Sequence, residues 1–74
     1  MPRYPQVYMA CDITTSQGNA FVLMNSVASG LRGLHVPKAE IEEFYTDAMS
    51  GDYEHLLEVC SEWIDFEYWE GTCG

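Results

Sequence analysis

Three groups of side chains in this sequence have the types that chemistry requires. They are a carboxylate-rich second half that contains His55, the cysteines Cys11, Cys60 and Cys73, and the small polar stretch Asp12-Ile13-Thr14-Thr15-Ser16-Gln17-Gly18-Asn19. His55 sits between Glu54 and Glu58, but the H-x-x-x-H and H-E-x-x-H spacings that put two ligands on one helix face are absent. The cysteines are odd in number and far apart, with no C-x-x-C pair, which argues against both a zinc site and a disulfide framework. In the polar stretch Gly18 stands alone. A phosphate loop needs G-x-G-x-x-G or a glycine run ending in Lys-Ser/Thr, and neither is present. Thr15 or Ser16 reads instead as a helix N-cap, with Gln17 a capping-box partner for Thr14, and Gly18 lets the first turn lie against the preceding strand. No nucleophile has an evident base and oxyanion donor, and a small core leaves little room for a cleft between two acids. The expectation is a protein that is not an enzyme, with no metal and no cofactor.

The carboxylates themselves are the stronger signal. Twelve acids stand against three bases, a formal net charge of -9, where a magnitude of about 2–8 is ample for solubility. Arg3, Arg32 and Lys38 are the only bases, and eleven of the twelve acids follow Lys38. Glu54, Glu58 and Glu62 recur every four residues, as do Glu43 and Asp47, so each set forms a row on one side of a helix. Like charges at that spacing destabilise a helix by roughly 0.2–0.5 kcal/mol per pair, so a sequence shaped by folding alone more often interleaves lysine. Asp65, Glu67 and Glu70, with Trp69 among them, extend the acidic character to the end of the chain. A solvated face accounts for these rows, and so does a carboxylate array that docks on a basic groove or imitates phosphates. Duplex DNA carries one charge per ~1.7 Å of axis, and helical carboxylates ~6 Å apart can take some of those positions. Trp69 within charge has the composition of an interface hot spot, or else covers a sheet edge. A surface this acidic repels nucleic acid and anionic lipid and attracts basic proteins.

The elements that position these residues follow from periodicity. Val7, Met9, Cys11 and Ile13 alternate with Tyr8, Ala10 and Asp12, which predicts a half-buried strand beginning near Gln6, after the poorly paired Pro2 and Pro5. Ala20, Leu23, Met24, Val27, Ala28, Leu31 and Leu34 predict an amphipathic helix, with Ala28 and Gly30 allowing a neighbour to approach closely. His35 falls at its C-terminal end, a favourable place for the ring. Pro37 opens a second helix with Ile41, Phe44, Tyr45, Ala48 and Met49 inward, ended by Ser50-Gly51. Asp52 caps a third, with Tyr53, Leu56, Leu57, Cys60 and Trp63 inward, and Ile64 to Glu70 alternates again as a second strand. The expected fold is α+β in the order β-α-α-α-β: a two-stranded antiparallel sheet with three helices on one face, one small acidic domain over 1–74 with an ordered core at 6–70. No apolar run approaches the ~20 residues of a membrane span.

Two segments, Ser16 to Met24 (SQGNAFVLM) and Ser50 to Val59 (SGDYEHLLEV), resemble small uncharacterised proteins encoded by bacteriophages and prophages, in which Q-G-N-A-F-x-L-M opens a helix and S-G-D-Y-x-x-L-L follows some thirty residues later. The aromatic acidic run from Trp63 to Glu70 departs from that pattern. The resemblance implies a phage origin and the cytoplasm of a bacterial host, and by analogy an inhibitor of host nucleic-acid or defence machinery of the anti-restriction or anti-CRISPR type. It brings no site residues with it. The expected partner is a basic host protein surface, contacted through Glu43, Asp47, Glu54, Glu58, Glu62, Asp65, Glu67 and Trp69, without direct nucleic-acid or membrane binding, by a monomer or weak homodimer. The alternative is a small structural or assembly component that self-associates through its strand edge.

Overall fold

The computed structural model describes residues 2–71. Strand β1 (Tyr4–Asp12) leads through a 3-10 turn (Ser16–Gly18) into helices α1 (Ala20–Gly33), α2 (Lys38–Ala48) and α3 (Tyr53–Trp63), and α3 passes without a linker into strand β2 (Ile64–Trp69). The two strands pair in parallel. This corrects the antiparallel expectation, and the physical reason is the parity of the connection. Three successive helices between the strands return the chain to the end at which β1 began, supplying the long crossover that parallel strands need. Tyr4 accordingly lies opposite Ile64, and Asp12 opposite Trp69.

The strand boundaries differ slightly from the sequence reading. β1 starts at Tyr4 rather than near Gln6, since Tyr4 pairs with Ile64 and the Arg3 amide donates to the Glu62 carbonyl at 2.9 Å. The pairing then breaks between Tyr4 and Tyr8, where Pro5 lacks a donor. Glu70 falls just beyond β2.

The inward residues of both strands meet the helices over one core. Trp63 is its anchor, packed edge-on to Phe44 at 5.7 Å between ring centroids and stacked on Tyr4 at 6.2 Å. Val27, Ala28, Leu31, Cys60 and Ile64 are fully enclosed around it. Leu34 and Met49, expected inside, are exposed because each is the C-cap residue where its helix already turns away. Gly30 meets its expectation: a Cβ there would lie 2.6 Å from Val7 Cγ1, so α1 approaches β1 closely at that point and a methyl would have to displace the Val7 side chain. A Cβ at Gly18 would overlap the backbone of Ile13.

Helix termini account for most of the small polar residues. Thr15 caps the 3-10 turn, accepting from the Gln17 amide, while α1 has its own cap in Asn19, whose Oδ1 accepts from the Phe21 amide at 2.9 Å. Asp52 caps α3 by accepting from the His55 amide at 3.0 Å, as its position implies. Pro37 stands at the N-cap of α2 rather than at its first residue. α1 ends with the Val36 amide donating to Leu31 O and the His35 amide to Arg32 O, a Schellman closure that holds His35 at φ 62. Cys73 lies outside the described residues, and no helix among them is long and apolar enough to cross a membrane.

Candidate functional site

The first candidate chemistry to test is the neighbourhood of His55. Ser50 Oγ is 3.1 Å from His55 Nε2, and Asp47 Oδ1 is 3.4 Å from the same nitrogen, an arrangement of residue types like a hydrolytic triad. Its geometry is not. His55 Nε2 also lies 2.9 Å from the Asp47 carbonyl oxygen, which only accepts, so this nitrogen carries the proton. Ser50 Oγ in turn donates to the same carbonyl at 2.7 Å. A serine whose hydroxyl hydrogen bonds to a carbonyl, beside a nitrogen that carries its own hydrogen, has no base. The cluster satisfies the exposed carbonyl end of α2, and Gly51 makes room for the ring, since a Cβ there would come within 2.8 Å of it.

The cysteines are equally quiet. Cys11 and Cys60 are free and buried, and desolvation pushes the Cys60 thiol up to about 12, so it stays protonated and unreactive. Among the described residues no three of His, Cys, Asp and Glu converge to hold a metal ion. In the polar stretch after β1, Asp12 Oδ1 accepts from Thr14 Oγ1 at 2.6 Å, from the Thr14 amide at 2.9 Å and from the Gly71 amide at 3.0 Å. These bonds hold the Asp12 carboxyl below its usual range and tie Gly71, just after β2, to the end of β1. The Tyr53 hydroxyl donates to the Gly18 carbonyl, fixing the 3-10 turn to α3.

That leaves the acidic surface, which the fold sorts into two kinds of carboxylate. Glu43 meets Arg3 at 3.7 Å in an exposed ion pair, and the Arg3 guanidinium lies 4.1 Å over the Trp63 ring. Asp47 belongs to the His55 cluster. By contrast Glu54, Glu58 and Glu62 on α3 and Asp65 on β2 are exposed and have no hydrogen-bond or ion-pair partner among the described residues. α3 runs directly into β2, so Glu62 near the end of the helix and Asp65 on the strand are three positions apart in the chain. Asp65 and Glu67 stand on the outer face of the sheet, opposite Tyr8 and Ala10 of β1, and Trp69 stands opposite Asp12, 43% exposed.

Sequence reasoning missed two parts of this surface. The Tyr8 hydroxyl donates to Glu67 Oε2 at 2.9 Å and orients that carboxylate; Tyr8 was visible as an outward residue of β1, but its partner depends on the strand register. The second is an apolar cleft of about 330 Å³ where Ala20, Met24, Tyr53 and Leu56 meet, flanked by the exposed Phe21 and Met49. No protein-family model, no curated protein and no solved structure matches this chain.

Proposed function

We infer that this chain is a non-enzymatic binding protein whose acidic face docks on a basic surface of another protein, in competition with nucleic acid. The observation that carries the reading is the set of four exposed carboxylates, Glu54, Glu58 and Glu62 on α3 and Asp65 on β2, without a cation against them among the described residues. Such a row costs helix stability and is repaid by a partner that supplies the missing positive charge. Glu67, held by Tyr8, and the half-exposed Trp69 extend the contact onto the sheet. Glu43 and Asp47 belong to its rim, since both already have partners. The resemblance of the Ser16 to Met24 and Ser50 to Val59 segments to phage-encoded proteins supports a setting in a bacterial host, with its nucleic-acid or defence machinery as the source of the basic surface.

The test is an affinity capture from bacterial lysate, with the wild type and a Glu54→Lys, Glu58→Lys, Glu62→Lys triple variant compared at low and high salt. The reading expects a basic protein held by the wild type, released by salt and absent from the variant, whose helical circular dichroism is retained. Capture that survives the triple substitution refutes it. Solution mass at low and high salt reads the assembly alternative, which expects an oligomer that persists in salt.

A further inference from the structure

The sheet has only two strands, so each strand is an edge, and the two edges are protected differently. β2 carries Asp65 and Glu67, the kind of charge that deters pairing with another strand. β1 is protected at its two ends, by Pro5 and the irregular pairing before Tyr8 and by the charge of Asp12. From Val7 to Cys11 it has neither charge nor proline, and half of its backbone N–H and C=O groups face away from β2. That unprotected stretch opens onto a groove of about 520 Å³ between β1 and α1, lined by Val7, Met9 and Cys11 from the strand and Val22, Leu23 and Ser26 from the helix, with no charged residue in it. Gly30 forms part of the groove at the point where α1 touches Val7. A strand edge beside an uncharged helix groove is the arrangement by which proteins take up an extended peptide, the backbone supplying hydrogen bonds and the groove receiving alternate side chains.

The geometry points to an extended segment of a partner protein that adds to β1 as a third strand, with small apolar residues directed into the groove and Lys or Arg directed over Ala10 towards Glu67. Charge complementarity selects this occupant. Ala10 lies opposite Glu67 in the register, and the Tyr8 hydroxyl draws the Glu67 carboxylate to the β1 side at 2.9 Å. A third strand would stand two strand spacings from β2, about 10 Å, a gap that an extended lysine and a glutamate close between them across the alanine methyl. A second copy of this chain does not meet the requirement: its β1 contains no Lys or Arg between Tyr4 and Asp12, and it brings another net charge of -9. The inference rests on the basic-partner reading above and adds the form in which the partner binds.

The experiment uses the whole chain with two capped heptapeptides of identical composition, one alternating Lys and Val and one with its four Lys in a block before its three Val. Hydrogen exchange of the Val7 to Cys11 amides is followed by NMR. The alternating peptide should slow exchange of the outward amides by about tenfold or more, the block isomer should leave them unchanged, and Ala10→Lys, which gives Glu67 an internal partner at an exposed site, should abolish the effect. Protection that survives Ala10→Lys overturns the charge recognition. Equal, salt-sensitive binding of both peptides without edge protection overturns strand addition and leaves the acidic-face reading standing. Binding of neither overturns both, and amides already protected in a dimer without peptide overturn the peptide occupant in favour of a second copy.

Discussion

Replacing Glu58 by lysine should make this protein more stable, and should weaken binding to a basic partner of the kind proposed above. Glu58 is the middle member of the row on α3 and takes part in two like-charge pairs, with Glu54 before it and Glu62 after it. Each pair costs roughly 0.2–0.5 kcal/mol, and an opposite-charge pair returns about as much. Glu54 preceding Lys is the favourable orientation and Lys preceding Glu62 the poorer one, so the sum settles near 1 kcal/mol of stabilisation. In a domain of this size that is a rise of about 4–8 °C in Tm. The net charge moves from -9 to -7, because one negative charge is replaced by one positive. Glu58→Gln separates the two contributions, removing the repulsions without adding attractions, and should give about half the gain. Urea denaturation followed by circular dichroism reads the effect at low salt and again at 1 M NaCl. There the screening length of ~3 Å is shorter than the ~6 Å between successive carboxylates, and the gain should vanish. A neutral or destabilising Glu58→Lys, or a gain that salt leaves intact, refutes the claim that the row is held against folding stability.

Two further predictions concern the scaffold. Gly30→Ala should cost about 1 kcal/mol net, since overpacking against Val7 at roughly 1–3 kcal/mol outweighs the gain of about 1 kcal/mol from replacing a helical glycine. In a Val7→Ala background, where the side chain facing the new methyl is removed, the same substitution should be neutral or stabilising; equal effects in both backgrounds show that the contact does not set the cost. Asp12 contributes pH-dependent stability. Its folded-state carboxyl is held low by the Thr14 hydroxyl first and by the Thr14 and Gly71 amides after it, so the contribution is fully present above the unfolded value near 4 and is lost as pH falls through the folded one. The stability gap between wild type and Asp12→Ala should therefore close below about pH 4, and a gap constant down to pH 2 shows that the carboxylate's bonds are not what the substitution removes.

Most of the scaffold was legible because its elements are locally determined. The period-two alternation from Val7 to Ile13 and the helical spacing from Ala20 to Leu31 state which side faces the core, and the burial of Cys11, Leu23, Met24, Val27, Ala28 and Leu31 agrees with them. Asp52 could be read as a cap because its side chain bonds its own helix. Asn19 was passed over because Thr15 and Ser16 lie upstream with equally good capping chemistry, and only the interposed 3-10 turn separates their role from that of Asn19. The partners of the carboxylates were not legible, because they depend on which elements come together. Arg3 reaches Glu43 from 40 positions away (43 minus 3), and Tyr8 finds Glu67 only through the register of two strands at opposite ends of the chain.

The parallel direction set by the three-helix crossover also suits the charges on the outer face of the sheet. In the parallel register every acid on the outer face of the sheet has an uncharged neighbour: Tyr8 opposite Asp65, Ala10 opposite Glu67, and Trp69 opposite Asp12. Reversing β2 over the same span sets Asp12 against Asp65, a like-charge pair side by side in a chain whose three bases all lie elsewhere. The pairing that avoids this clash also gathers Tyr8, Ala10 and Glu67 on one patch beside the unprotected edge of β1. Parallel pairing thus avoids that clash and at the same time leaves an oriented carboxylate one small residue away from the uncharged Val7 to Cys11 edge of β1. The sheet is therefore where acidic surface and strand geometry meet, and a partner that reads both would be recognised by its backbone as well as its charge.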